Sequence, residues 1–351
     1  MIFTASKKIS LFLFLFLILS GFSRFSLFAQ FSGYTSSESS AYNAGLFSIG
    51  AGLRHQMSNL YGNTSFLMNS KTNSVDANLG TSQSRGSSSS FLLGGGGFYR
   101  LGEKWGVGIR FKPIYNRFFE ADNRMENYAL SGIVSYELTE YLYLGVNLGP
   151  TMSNRPGGYS SYSWNLSASV GLILGKWNFG WIAESPGLYR FENYLGSEKL
   201  KERLPERMSV GAQYQINSEF FLYGELVRTF WERAMFSQNG IEEKPPFLLR
   251  DSYTGSLGIG YLPFPKLSLL TGITSIAYPS EEGVLYKSLG ASIGASGEIL
   301  PSVIGNGFWG GVYLQQTGLT GMISPYARET KVGFQFTYAW ETEQEKQEDI
   351  R

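Results

Sequence analysis

The chain has no cysteine in 351 residues and one histidine, His55. Disulfides, thiolate nucleophiles and thiolate metal ligands are therefore excluded, and neither a metal site nor a cofactor is expected. An excess of one charge is missing too. Basic residues number 29 and acidic ones 28, a formal charge of +1 that offers nucleic acid no electrostatic footing. Long apolar runs are scarce. After residues 9–19 no second run of about 18 apolar residues occurs, so helical membrane spans are not expected. Glycine (43 residues) and aromatic residues (16%) are plentiful, yet mean hydropathy is only −0.11. The apolar content lies in short alternating pieces, as a closed barrel in lipid needs, because such a barrel satisfies every backbone group internally. An exported soluble β-sandwich would rarely need so many pieces.

Lys7 and Lys8 precede the apolar run 9–19, which gives way to smaller and polar residues. That order predicts a signal peptide over 1–29, cut after Leu27-Phe28-Ala29. The competing reading, a membrane anchor, has too short a run for a span of about 20 residues. With no cysteine behind the run, lipid anchoring through one is excluded.

Near the other end, Val332, Phe334, Phe336, Tyr338 and Trp340 alternate with Lys331, Gly333, Gln335, Thr337 and Ala339. Strand side chains alternate sides, so one face is greasy and the other small or polar. The same period of two recurs in Trp105, Val107, Ile109 and Phe111, and again in Leu142, Leu144, Val146 and Leu148. It appears once more in Leu166 to Leu174 and in Met208 to Ile216. Connections alternate as well. Short turns at Leu101-Gly102-Glu103, Leu138-Thr139-Glu140, Gly175-Lys176, Asn217-Ser218 and Pro263-Phe264-Pro265 interleave with longer stretches at 70–88, 116–126, 150–161, 185–204 and 235–250. Outer-membrane barrels alternate in this way between periplasm and exterior. The pattern predicts an all-β transmembrane antiparallel barrel of about fourteen strands. These fall near 58–69, 89–100, 104–115, 127–138, 141–149, 162–174, 177–187, 206–216, 218–233, 252–262, 266–279, 284–297, 307–317 and 331–340. The barrel then occupies 58–340, followed by a charged tail, 341–351, in the periplasm.

Residues 30–57 remain as either an extra strand pair or a short plug; the strand count favours the plug. Asn43-Ala44-Gly45-Leu46 looks like the Asn-Pro-Ala-Gly-Leu motif that ends the N-terminal hatch of one family, without its proline. The stretch Leu204-Pro205-Glu206-Arg207-Met208-Ser209-Val210-Gly211-Ala212-Gln213-Tyr214, with Trp231 downstream, is similar to the same family's C-terminal half. So are 177–186 and 91–111. On these residues the chain resembles the long-chain fatty-acid transporter (FadL) family of outer-membrane proteins. The resemblance implies fourteen strands, an N-terminal plug and passive uptake of hydrophobic molecules. The expected outer loops look too brief for the family's helical loops.

Candidate chemistry is sparse. Gly290-Ala291-Ser292-Ile293-Gly294 spells the nucleophile elbow of hydrolases, but it lies inside an alternating strand. His55 and Ser58 stand three apart, so on a strand they face opposite ways and cannot exchange a proton. No enzyme is expected. Gly94, Gly95, Gly96 and Gly97 form a run that either admits a close neighbour or bends the wall into a lateral gate. Parity places Arg110, Lys112 and Arg207 in the lumen, with Glu137 and Glu225. The three cations are candidate ligand contacts; a lumen salt-bridge network is the structural alternative. Asn43, Ala44 and Gly45 are the plug candidates.

The expected function is uptake of hydrophobic compounds such as long-chain fatty acids, with a small-solute diffusion channel or a structural or adhesin barrel as alternatives. Expected partners are outer-membrane lipid, hydrophobic small molecules and the barrel-assembly machinery, met through the C-terminal strand.

Overall fold

The computed structural model describes residues 33–36, 41–47, 49–84, 90–118, 124–155, 157–185, 187–194, 196, 198–243, 251–279, 285–300, 306–320 and 329–341. A short strand β1 (Gly33–Ser36) comes first, then helix α1 (Ala41–Gly45), helix α2 (Gln56–Asn59) and a 3-10 helix, Thr64–Ser70. The wall begins with β2 (Thr72–Ser84), β3 (Ser90–Arg100), β4 (Trp105–Phe118) and β5 (Arg124–Thr139). It continues through β6 (Leu142–Arg155), β7 (Tyr159–Leu174) and β8 (Trp177–Ser185). Two small strands, β9 (Leu188–Tyr194) and β10 (Glu198–Arg203), precede wall strands β11 (Glu206–Gln215) and β12 (Phe220–Phe230). A second small pair, β13 (Met235–Gln238) and β14 (Ile241–Glu243), precedes the last five wall strands. These are β15 (Ser252–Phe264), β16 (Leu267–Pro279), β17 (Leu285–Leu300), β18 (Asn306–Thr320) and β19 (Glu329–Glu341).

Each wall strand pairs antiparallel with the next, and β19 closes on β2 from Glu329–Ser84 to Glu341–Thr72. Among the described residues the ring has fourteen strands. It is inside-out relative to a soluble protein. On β6 and β7 the buried row includes Asn147, Thr151, Asn165, Ser167 and Ser169, while Val146, Leu148, Trp164 and Leu166 stand exposed. Aromatic pairs girdle the short-turn end: Trp105 with Tyr136 (centroids 4.2 Å apart), Trp177 with Tyr214 (4.4 Å), Phe220 with Tyr261 (4.6 Å) and Phe308 with Tyr338 (5.4 Å). On β7 the exposed row runs from Trp164 to Leu174. Ten steps of about 3.3 Å, tilted by about 40°, span roughly 25 Å, the height of a hydrocarbon band. The surface is built for lipid.

One expected strand is wrong. Residues 58–69 are not a strand: 56–59 and 64–70 are helical and lie inside the ring. The first wall strand is Thr72–Ser84, where an outer loop over 70–88 was expected. His55 and Asn63 cap the two helical pieces, accepting from the Met57 and Ser65 N–H groups, so local hydrogen bonding turns this segment away from extended backbone. The other expected strands overlap observed ones. The stretches 185–204 and 235–250, expected as loops, contain β9, β10, β13 and β14. The expected signal peptide and the tail beyond Glu341 lie outside the described residues.

The four small strands form their own sheet, ordered β14-β13-β10-β9. Tyr189, Phe191 and Leu200 pack on Ile114 of β4 and Ala129 of β5. Arg155 of β6 forms a buried ion pair with Glu202 of β10 and lies 4.9 Å from the Phe191 ring centre. This sheet is thereby folded over the long-connection mouth of the barrel.

Candidate functional site

The lumen is filled by residues 41–47 and 49–70, which reach every wall strand. From α1, Ala41 N–H donates to Gln335 Oε1 of β19 (2.8 Å), and the Ala44 carbonyl accepts from Gln315 Nε2 of β18 (2.9 Å). The Gly45 carbonyl accepts from Ser292 Oγ of β17 (2.9 Å), while Leu46 lies against Gly258 of β15 and Gly272 of β16. The Glu225 carboxylate of β12 accepts from the Gly50 and Ala51 N–H groups (2.5 and 2.7 Å), and Gln213 of β11 accepts from Arg54 N–H. Asn63 Nδ2 donates to Val170 O of β7 (2.9 Å), and Ser135 of β5 donates to the Thr64 carbonyl. Phe66 packs on Tyr143 of β6. Tyr61 donates to Asp76 of β2, which also accepts from Thr337 and Gln335.

Inward glycines make the seat. A Cβ on Gly180 of β8 would lie 1.5 Å from Ala51 O, and one on Gly52 would lie 2.5 Å from the β11 backbone. Gly171 lies under Phe66, Gly96 under Leu60, and Gly106 under the Phe98 ring of β3 and then Met68. At Gly180 and Gly52 the backbone of the plug touches the backbone of the wall, which only glycine permits.

Both serine motifs find structural roles. Gly290 lies under Phe47, Ser292 bonds the Gly45 carbonyl and Gly294 abuts Gly45 Cα, so the elbow-like pentapeptide docks the plug. His55 Nδ1 accepts from Met57 N–H, and its ring stacks on Tyr42 at 3.9 Å. Burial drives the imidazole pKa down to about 3. Ser58 meets His55 only through the backbone.

The candidate residues fall into three groups. Asn43, Ala44 and Gly45 are buried in the plug. In the glycine run, Gly96 approaches both Leu60 and the β4 backbone, where a Cβ would be 2.3 Å from Ile109 O. Pairing of β3 with β4 stops at Gly95–Phe111, just before a register shift at Pro113–Tyr115 of β4. Above it, β1 pairs with β4 from Ser36–Tyr115 to Gly33–Phe118. Since β5 holds the other edge of β4 over the same residues, β1 takes the edge that β3 has left.

Just inside this break, Arg110, Lys112 and Arg207 converge on Glu184 of β8. Lys112 Nζ is 2.8 Å from Glu184 Oε1, Arg207 lies directly opposite Glu184 on β11, and Arg110 interacts with it through charge. Arg110 also donates to the Leu60 carbonyl (3.1 Å), tying the cluster to the plug. Sequence reasoning missed Glu184, Asp76, Pro113 and β1. Glu184 was within reach, since in WNFGWIAES it shares parity with Asn178 and Gly180, opposite Trp177, Phe179 and Trp181.

The architecture is a plugged fourteen-strand lipid-facing barrel. No family model matches the chain, and no curated protein matches its sequence. Solved structures share the fold. The CymD monoaromatic hydrocarbon channel superposes with a TM-score of 0.66 at 12% identity, covering 87% of this chain and 98% of that one. A Pseudomonas aeruginosa FadL homologue gives 0.62 at 12%, covering 88% and 99%. The Ralstonia pickettii toluene transporter TbuX gives 0.62 at 12%, covering 87% and 98%. The fold expected from the resemblance is the fold observed.

Proposed function

We propose that this chain is an outer-membrane barrel for passive uptake of hydrophobic compounds, long-chain fatty acids among them. The observation that carries the reading is a lumen filled by a plug seated on all fourteen strands, with a cationic cluster beside a break in the wall. A steady diffusion channel would need the space that the plug occupies. An adhesin built on an outer loop at 70–88 loses its basis, because Thr72–Ser84 is wall. The fold neighbours named as a monoaromatic hydrocarbon channel and a toluene transporter agree with a hydrophobic cargo.

In this reading Arg110, Lys112 and Arg207 receive a carboxylate headgroup, and Gly94 to Gly97 with Pro113 shape the wall where cargo leaves. Each charge-assisted hydrogen bond to the headgroup contributes about 1.5–3 kcal/mol. The outward row of β19 is what the assembly machinery meets. The test is binding of a fluorescent long-chain fatty acid to the purified barrel, with an unrelated barrel of similar size as control. Saturable binding displaced by oleate, and weakened when Arg110 and Lys112 are both neutralised, is expected. Binding no better than the control removes the reading.

A further inference from the structure

Lys112 and Glu184 stand on β4 and β8, with β5, β6 and β7 between them in the ring. Their 2.8 Å ion pair therefore crosses the lumen as a chord. The two side chains keep 12% and 14% exposure, so the pair is reachable from the lumen. Arg110 is fully buried next to it, and its Nε has no hydrogen-bond partner among the described residues.

A carboxylate among three cations presents the chemistry of the proposed cargo's own headgroup. We infer that Glu184 is a tethered occupant of the anion subsite, which an incoming carboxylate replaces at Lys112. This rests on the reading of Arg110, Lys112 and Arg207 as headgroup contacts. Replacement swaps one carboxylate for another at Lys112, while Arg207, opposite on β11, holds the released Glu184. The cross-lumen chord then parts without stranding a charge. A neutral hydrophobe offers nothing in exchange, and parting the pair for it leaves the partly buried Lys112 without its carboxylate. The subsite thus selects carboxylate-headed amphiphiles over alcohols and hydrocarbons of equal chain length.

The test compares oleate with oleyl alcohol as competitors for a fluorescent fatty acid on the full-length barrel. Glu184→Gln removes the tethered carboxylate, so oleate itself binds about tenfold more tightly, one decade in its dissociation constant, while the preference over oleyl alcohol is read on the parent. An oleate affinity that is unchanged or weaker in Glu184→Gln, with oleate still weakened by neutralising Arg110 and Lys112, overturns the tethered occupant and leaves the headgroup site standing. No effect from either substitution overturns both. If Glu184→Gln does not fold, Lys112→Gln with Glu184→Gln decides. Oleate then binds no more weakly than to the parent despite the lost cation, and a clear weakening overturns the inference.

Discussion

Gly180→Ala gives the sharpest test of the plug. The added Cβ would lie 1.5 Å from Ala51 O, 2.4 Å from Ala51 C and 2.6 Å from Asn63 Nδ2. Ordinary contact begins near 3.4 Å, so the plug backbone must retreat by about 2 Å. That retreat breaks the 2.7 Å bond from Asn63 Nδ2 to Ala51 O and strains the grip of Glu225 on Ala51 N–H. Overpacking costs about 1–3 kcal/mol and a lost hydrogen bond about 0.5–1.5. Together, about 2–4 kcal/mol shifts the ratio of unseated to seated plug by roughly 30- to 1,000-fold. The wall is spared, because Gly180 pairs with Gly171 and Gly211 through backbone alone. The readout is single-barrel conductance in a planar bilayer. Gly255→Ala serves as control, since a Cβ there has nothing within 4 Å. Frequent openings in Gly180→Ala alone are expected. A folded Gly180→Ala barrel as quiet as the control would refute the seat described here.

Three further outcomes follow from other contacts. Glu225→Gln keeps an acceptor for the Gly50 and Ala51 N–H groups but removes its charge, so seating weakens by about 1–2 kcal/mol; trypsin should cut faster after the exposed Arg54. His55 is held neutral in the seated plug, with its pKa pushed down to about 3 from an ordinary value near 6.5. The released plug therefore binds the extra proton, so seating is constant above about pH 6.5, weakens as pH falls and levels off near 3. Hydrogen exchange over 41–70 should follow that curve, and His55→Gln should flatten it. Arg155→Ala removes the buried cation paired with Glu202, at a cost of about 3–5 kcal/mol to the outer sheet. Exchange should then rise across 188–203 while the ladders of β15 to β19 stay protected; equal exchange in both would mean the pair is not what holds the sheet down.

Most of the wall was legible because lipid and lumen impose opposite demands on alternate residues. Met208 to Tyr214 and Val332 to Tyr338 announce their register by themselves. Thr72–Ser84 does not, since its outward row has only Val75 and Leu79 as large apolar groups, and its inward row, with Asp76 and Asn78, resembles a loop. The plug misled in the opposite sense. Leu60, Phe66, Leu67 and Met68 are apolar because the lumen buries them, yet they lie on helical turns. Their capping residues, His55 and Asn63, were the available signal. Parity correctly sent Arg110, Lys112, Arg207 and Glu225 inward. Parity carries no distance around the ring, so the meeting of β4 with β8 across the lumen stayed hidden.

The seat of the plug also has a bearing on how the protein is put together. Asp76 takes bonds from Tyr61 of the plug and from Gln335 and Thr337 of β19. Gln335 also accepts from Ala41 and donates to the Met57 carbonyl. These groups belong to the first and last wall strands, far apart in the chain and adjacent only once β2 and β19 are zipped. Half of this latch is therefore missing from any open, unfinished ring. A protected Tyr61 and an ordered α1 thus report that the seam has shut.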